Sequence, residues 1–346
     1  MDDAAAIGRP LIGITMGDPA GVGPEIILKA LSNKEIFSLC VPIIIGDLGA
    51  LDRAAKVLKW HGKVQSIQDP FEAGLSAGSL NVMCPYNLPS GSFEPGLPTV
   101  EGGEAAARFI KEAVKLAVMG KVGGIVTCPV NKAMLNKAGY NYEGHTQMIA
   151  SLTRCDSYVM MLAGERLRVS LVTIHVPLAK VPQLITQQKV IQTITITHRA
   201  LERDFGLARP RIGVAALNPH AGEAGLFGKE EEEVLRPAVT ETRSQGMEVQ
   251  GPFPSDTLFW RAARGEFDAV VAMYHDQGLA PLKLVHFYDA VNVTLGLPIV
   301  RTSVDHGTAY DLAGTGKANP NSLVNALMMA AMIARNRGAS KGVCGG

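Results

Sequence analysis

The chain has 346 residues, 47% of them hydrophobic and 19% charged, and its 33 Lys+Arg against 32 Asp+Glu leave a formal net charge of +1. That apolar content is globular, and a chain of this length can bury roughly three quarters of its unfolded surface, which excludes general disorder and a disulfide scaffold. Balanced charge gives no electrostatic footprint for nucleic acid or anionic lipid, and no apolar run reaches the ~20 residues of a membrane helix.

The opening MDDAAAIGRP carries acids and lacks an apolar stretch, so no secretory signal is expected and the chain reads as soluble and cytoplasmic. LIGITM (11–16) and VPIIIG (41–46) then predict buried strands, because continuous apolar character suits parallel strands covered on both faces. Between them GDPAGVGPE (17–25) reads as a tight turn feeding a helix that starts near Pro24. Its glycines do not match G-x-G-x-x-G and no Lys follows, so it is neither a Rossmann fingerprint nor a P-loop. Cys84–Pro98 lacks periodicity and reads as a functional or interface loop. Phe109, Ile110, Ala113, Val114 and Ala117 follow helical spacing with Gly120 as the stop, and GGIVTCPV (123–130) is the next buried strand. His145 precedes Thr146, a candidate N-cap for TQMIASLT, and the free N–H groups of such a helix end suit an anion.

In the second half, SYVMMLA (157–163) and RLRVSLVTIH (166–175) flank Gly164 and Glu165 and predict a hairpin with a II′ turn. Val190, Ile194, Leu201 and Phe205 line one face of a helix beginning near Thr186, with His198 on that apolar stripe as a core histidine; His61 reads as surface. RIGVAAL (211–217) and DAVVAMY (268–274) are further buried strands, and the acidic run Glu230–Glu233 reads as a solvated helix start. GTGKA (314–318) lacks P-loop spacing, and the tail ASKGVCGG reads as disordered. Cys40, Cys84, Cys128, Cys155 and Cys344 form no C-x-x-C pair and read as buried free thiols. The alternation of strand and helix argues an α/β class with a largely parallel sheet, as one large domain or two.

Three histidines share one context: His175 ends SLVTIH, His220 follows RIGVAALNP, and His275 follows DAVVAMY. Ligands of open parallel sheets bind outside the carboxyl ends of strands, so three imidazoles there could converge on a borderline divalent ion; taken singly, each reads as a structural histidine. Asp256 and Asp276 could add an oxygen ligand or orient an imidazole. Lys283 and Arg301 each follow an apolar segment and could hold phosphate or carboxylate, or simply snorkel to solvent.

The segment DHGTAYDLAGTGKANP (305–320) resembles the coenzyme loop of the isocitrate/isopropylmalate dehydrogenase fold. More specifically, ITMGDPAGVGPE (14–25), GHTQ (144–147), LNPHAGE (217–223), YHDQG (274–278), VNVTLGLP (291–298) and IVRTSVDHGTA (299–309) resemble, in order, the 4-hydroxythreonine-4-phosphate dehydrogenase family. That resemblance implies two α/β/α lobes with a cleft between them. Residues 1–135 with 298–346 would form a discontinuous coenzyme-side lobe, and 136–297 a central metal, substrate and dimerisation lobe. It implies His175, His220 and His275 as ligands of one divalent metal (Zn, Co or Mg), completed across a homodimer. His145, Thr146, Lys283, Asn292 and Arg301 match the family's substrate positions; His306, Gly307, Thr308, Asp311 and Asn319 match the looser coenzyme pattern, for NAD or NADP. Asn131 and Lys132 match a family segment without an assigned role.

The implied reaction is metal-dependent, NAD(P)-linked oxidation of 4-phosphohydroxy-L-threonine to the 3-oxo acid, which decarboxylates to 3-amino-2-oxopropyl phosphate on the route to pyridoxal phosphate. Lys283 and Asp256 are the candidate bases. Relatives that oxidise threonate or erythronate 4-phosphate, or a dihydrodiol carboxylate, are an alternative. Leu279 stands where some threonate-type relatives carry His, which favours the pyridoxal-pathway substrate, whereas HFYDAVN (286–292) departs from the family pattern at the pocket. The histidines alone would also suit a three-His zinc hydrolase, for which an adenosine-binding loop has no use.

Overall fold

In the computed structural model, residues 8–74, 79–89, 91 and 93–343 are described, so the expectations for Cys344 and the end of the tail lie outside them. The first apolar runs become β1 (Leu11–Thr15) and β2 (Val41–Ile45), separated by α1 (Gly23–Ala30) and α2 (Lys34–Leu39). There follow α3 (Leu48–Leu58), β3 (Lys63–Ser66), β4 (Ser79–Met83), α4 (Val100–Val118), β5 (Gly124–Thr127), α5 (Lys132–Lys137) and α6 (His145–Leu152). The next stretch holds β6 (Val159–Ala163), β7 (Arg168–Leu171), α7 (Val181–Leu184), α8 (Gln187–Arg203), β8 (Arg211–Ala215) and α9 (Arg236–Ser244). It continues through β9 (Glu248–Phe253), α10 (Ser255–Ala263), β10 (Ala269–Ala272), α11 (His275–Val285) and β11 (Val291–Leu295), before β12 (Arg301–Ser303) and α12 (Asn321–Val343).

The chain divides into two units: one runs through Asp156 and resumes at Leu297–Ala339, and the other takes Ser157–Gly296. Residues 136–156, which the resemblance would place in the central lobe, fall in the first unit, where α5 and α6 pack on α4. In that unit the strand order is β3-β4-β2-β1-β5-β12, parallel throughout. Thr15 is level with Ile45 and with Thr127, so the loops after β1 and β5 leave from one edge. Ile12, Ile14, Ile43, Ile44, Ile45 and Ile125 are fully buried there, each worth about 1.5–3 kcal/mol of burial. α4 begins at a Thr99 cap and ends before Gly120, whose φ of 70° only glycine takes cheaply.

The second unit orders its strands β11-β6-β7-β10-β8-β9. β6 runs antiparallel to both neighbours, and the other pairs are parallel. Leu162, Val169, Leu171, Leu258, Phe267, Val270 and Leu282 form its core. α8 starts where expected, with the Thr186 hydroxyl accepting from Lys189 N at 3.2 Å. The hairpin differs in detail. Ala163 pairs with Arg168 and Gly164 N donates to Leu167 O, so Glu165 and Arg166, not Gly164, are the central turn residues. Glycine is needed at 164 because a Cβ there would lie 2.4 Å from the His286 ring.

Cys40, Cys84, Cys128 and Cys155 are free, but only Cys40 and Cys128 are buried as expected. α12 continues to Val343, so most of the tail expected to be disordered is helical. Among the described residues, no helix is long and apolar enough to cross a membrane.

Candidate active site

β7 and β10 are adjacent, with Leu171 level with Ala272, and the pairing runs past the strands through Val172 N to Ala272 O and Thr173 N to Met273 O. The Thr173 hydroxyl also donates to Met273 O at 2.7 Å. Two chain segments held side by side thus deliver His175 and His275 with ring centroids 5.8 Å apart. His275 Nδ1 lies 2.7 Å from an Asp276 oxygen, the carboxylate–imidazole arrangement that directs Nε2 toward a metal. His220 does not join them: among the described residues no three His, Cys, Asp or Glu side chains gather to hold a metal ion.

His220 stands instead on an exposed turn beside Phe227, ring centroids 6.2 Å apart. His220, Ala221, Gly222, Glu223 and Ala224 all have positive φ, a left-handed run that costs about 1–2 kcal/mol per non-glycine residue. Glu231 holds the start of this run. Its carboxylate accepts from Leu217 N and Asn218 N, both at 2.8 Å, and from Asn218 Nδ2 at 3.0 Å. The acidic run is therefore not simply a solvated helix start: Glu231 is fully buried, and its backbone forms a wide turn leading into α9.

Gln277, within YHDQG, has a role that the sequence did not assign. Its Oε1 accepts from Met273 N at 2.6 Å, and its Nε2 donates to Ala216 O at 2.5 Å and to Ser255 Oγ at 2.8 Å. One side chain thus ties the ends of β8 and β10 to the start of α10. Asp256 is exposed in the first turn of α10, and Lys283 lies eight residues after His275 on α11, its Nζ 5.7 Å from the Phe287 ring centroid. The Asn292 side chain has a buried Oδ1 with no hydrogen-bond partner among the described residues. His286, in the departing HFYDAVN segment, is buried between Asp289 at Nδ1 (2.7 Å) and Arg166 N at Nε2 (3.2 Å). By contrast, His198 is half-buried at the edge of the helix's apolar stripe rather than in the core, within 3.3 Å of Glu202, and His61 is exposed as expected.

In the first unit, α6 begins at His145 with Gly144 as its cap residue. Thr146 is thus inside the helix, and its hydroxyl accepts from the Arg301 guanidinium at 3.2 Å. The same guanidinium donates to Thr127 Oγ1 at 2.9 Å, which links the ends of β5 and β12 to α6. Arg301 is 1% exposed, and burial pulls its pKa down to about 9, still cationic at neutral pH. His145 is held well below its ordinary pKa by burial and then by the charges of Arg301 and Lys132, so it is neutral at pH 7. Lys132, without a role in the sequence, thereby joins this cationic cluster. Its Cε would lie 3.3 Å from a Cβ placed at Gly144.

The 305–320 segment is a surface loop. His306, Gly307, Asp311 and Asn319 are exposed and Thr308 half-buried. His306 Nδ1 lies 3.0 Å from Gly307 O, and Asn319 Oδ1 accepts from Asn321 N at 2.9 Å. Below it, the Tyr310 hydroxyl donates to Asp18 Oδ2 at 2.6 Å; burial raises the pKa of both groups. The Cys84–Pro98 loop packs nearby: the Arg53 guanidinium stacks 4.8 Å over Phe93, and Gly96 N donates to Ala20 O.

A divalent ion is the group this donor set suits, and two imidazoles, one of them braced by a carboxylate, fit it as part of a ligand shell. A buried cation at a helix start, with a neutral imidazole beside it, fits a phosphate or carboxylate. Two α/β units without a Rossmann fingerprint, a histidine pair past adjacent strands and a buried arginine beside a neutral imidazole are the arrangement that the resemblance to the isocitrate/isopropylmalate dehydrogenase-like fold implies.

The comparisons agree. Residues 38–330 match the family model described as pyridoxal phosphate biosynthetic protein PdxA. The chain is 48% identical over 333 residues to a 4-hydroxythreonine-4-phosphate dehydrogenase of Desulforapulum autotrophicum, covering 96% of this chain and 98% of that one. It is 45% identical over 333 residues to a D-threonate 4-phosphate dehydrogenase of Cupriavidus necator, covering 95% and 98%. The crystal structure of a 4-hydroxythreonine-4-phosphate dehydrogenase from Burkholderia phymatum superposes with a TM-score of 0.84 at 45% identity, covering 94% and 98%. The chain belongs to the PdxA family and is an oxidoreductase, which removes the hydrolase alternative.

Proposed function

We propose that the protein catalyses metal-dependent, NAD- or NADP-linked oxidation of 4-phosphohydroxy-L-threonine, with decarboxylation to 3-amino-2-oxopropyl phosphate. The observation that carries the reading is the buried Arg301 on Thr146 and Thr127, beside neutral His145. Arg301 binds an anionic group of the substrate, Thr146 fixes the guanidinium plane, and His145 offers a hydrogen bond without adding charge. Asn292, with its unsatisfied carbonyl oxygen, accepts from a substrate hydroxyl or ammonium group. When bound, the metal supplies Lewis-acid polarisation of the hydroxyl and the dinucleotide supplies the hydride acceptor. Lys283 or Asp256 takes the hydroxyl proton.

His175 and His275 supply two metal ligands, and we propose that His220 of a second copy supplies the third in a homodimer. In support, His220 lies on an exposed turn next to Leu226 and Phe227, with Leu178 beyond His175 also exposed. Large apolar side chains around a ligand suit burial against another chain. His306, Gly307, Thr308, Asp311 and Asn319 hold the dinucleotide, in a cytoplasmic enzyme.

A second substrate, D-threonate 4-phosphate, is favoured by the 45% identity to the Cupriavidus necator enzyme. Against it, Leu279, which is buried, stands where some threonate-type relatives carry His, the sequence expectation that favours the amino-acid substrate. The test is a comparison of kcat/KM for these two substrates, erythronate 4-phosphate and a dihydrodiol carboxylate, with both dinucleotides. The proposal predicts the highest value for 4-phosphohydroxy-L-threonine; no dinucleotide reduction with it would refute the assignment.

A further inference from the structure

The segment GDPAGVGPEIILKA (17–30) matches no phosphate-binding pattern, yet it makes a dense set of contacts with one other part of the chain. Glu25 is buried, and its two carboxylate oxygens accept from Gly314 N and from Gly316 N, the latter at 2.8 Å. Lys29, one turn further along α1, donates to Gly316 O at 2.5 Å and to Ala318 O at 2.7 Å. Glu and Lys four residues apart on a helix ordinarily pair with each other. Here each takes the backbone of the loop instead, one from its amides and one from its carbonyls.

The upstream end is tied in the same way. Val22 N donates to Thr308 O at 3.0 Å, and Tyr310 donates to buried Asp18. Gly21 allows this approach, since a Cβ there would lie 3.0 Å from Thr308 O. The loop is thus held through its backbone at 308, 314, 316 and 318 and through the Tyr310 hydroxyl, while the side chains of His306, Asp311 and Asn319 remain exposed to a ligand.

We propose that the N-terminal motif is the mount of this loop, with Asp18, Glu25 and Lys29 as positioning residues for dinucleotide binding. The inference rests on the reading of 305–320 as the dinucleotide loop and adds the residues that preorganise it. A loop already ordered loses less entropy when the dinucleotide arrives, so loosening the mount weakens binding.

The experiment measures equilibrium binding of NADH and NADPH by fluorescence titration, the KM and kcat for the dinucleotide, and amide exchange across 308–318. E25Q turns one of its acceptor oxygens into a donor and should raise the dinucleotide Kd and KM by about tenfold, with kcat at saturation within about twofold and faster exchange at Gly314 and Gly316. K29M should act in the same direction, and K29R, which keeps the two donated bonds, should stay near wild type. If E25Q does not fold, K29M against K29R carries the test.

D311A separates this inference from the reading beneath it. Weaker dinucleotide binding in D311A with wild-type values in E25Q and K29M overturns the mount alone. Unchanged binding in D311A, or none in the wild-type protein, overturns the loop assignment and the mount with it.

Discussion

Replacing Glu231 tests how the strained turn under His220 is held. The side chain is fully buried, and three hydrogen bonds end on it: two from consecutive backbone amides to Oε1, and one from Asn218 Nδ2 to Oε2. Bonds to a charged acceptor contribute about 1.5–3 kcal/mol each, and a buried amide left unpaired costs about 1–3 kcal/mol. Because the three share one carboxylate they do not add fully, so E231A should cost about 3–5 kcal/mol. E231Q can keep its Oε1 on both amides and loses only the charge and the bond from Asn218, for about 1–2 kcal/mol. Native-state amide exchange at Leu217 and Asn218 reads this locally, and the urea midpoint reads it globally. On the proposed ligand role of His220, both variants should also weaken metal-dependent turnover, because His220 loses its fixed turn. An E231A protein within about 0.5 kcal/mol of wild type would refute the reasoning, since effects that small belong to surface positions.

Other outcomes follow from the same geometry. R301K keeps a cation but not a fork that reaches Thr127 and Thr146 together, and should raise the KM for the phosphorylated substrate about 10–100-fold in steady-state assays. His145 is depressed in the folded state, so its contribution to stability is present above about pH 6.5 and is lost as pH falls, where only the unfolded chain gains the proton. Between pH 7.5 and 5.5, wild-type protein should therefore lose more stability to urea than H145Q does. G164A should cost about 1–3 kcal/mol, because the new methyl meets a His286 ring that Asp289 and Arg166 hold in place. A thermal melt checks it, and an unchanged Tm would mean that the ring can move aside.

The elements most legible in the sequence are those whose signal is local. β1, β2, β5, β8 and β10 announce themselves as apolar runs, and α8 by the Thr186 cap and an apolar stripe. β3 is the opposite case: its KVQS is exposed along its length, an edge strand with no hydrophobic pattern to read. β12 is only three residues, and Arg301 within it is buried through contacts with residues more than 150 positions away.

The site divides along the same line. His175 and His275 could be placed at strand ends from sequence, because the run before each is unmistakable, but their adjacency depends on β7 lying beside β10. Thr146 has the chemistry of a helix cap, yet Gly144 takes that position and the hydroxyl serves Arg301 instead. Glu231 and Glu25 look like ordinary helix-surface acids, and only the return of distant backbone onto them gives them their roles. Gln277 lies within the YHDQG motif, but its role is set only where three elements meet at its amide.

The most direct test of the central claim is the stoichiometry of the reaction of purified protein with 4-phosphohydroxy-L-threonine, NAD or NADP, and Zn²⁺, Co²⁺ or Mg²⁺. The account predicts equimolar reduced dinucleotide and CO₂, abolished by a chelator and absent with the unphosphorylated amino acid. Turnover that survives the chelator, or proceeds equally well without the phosphate, would contradict it.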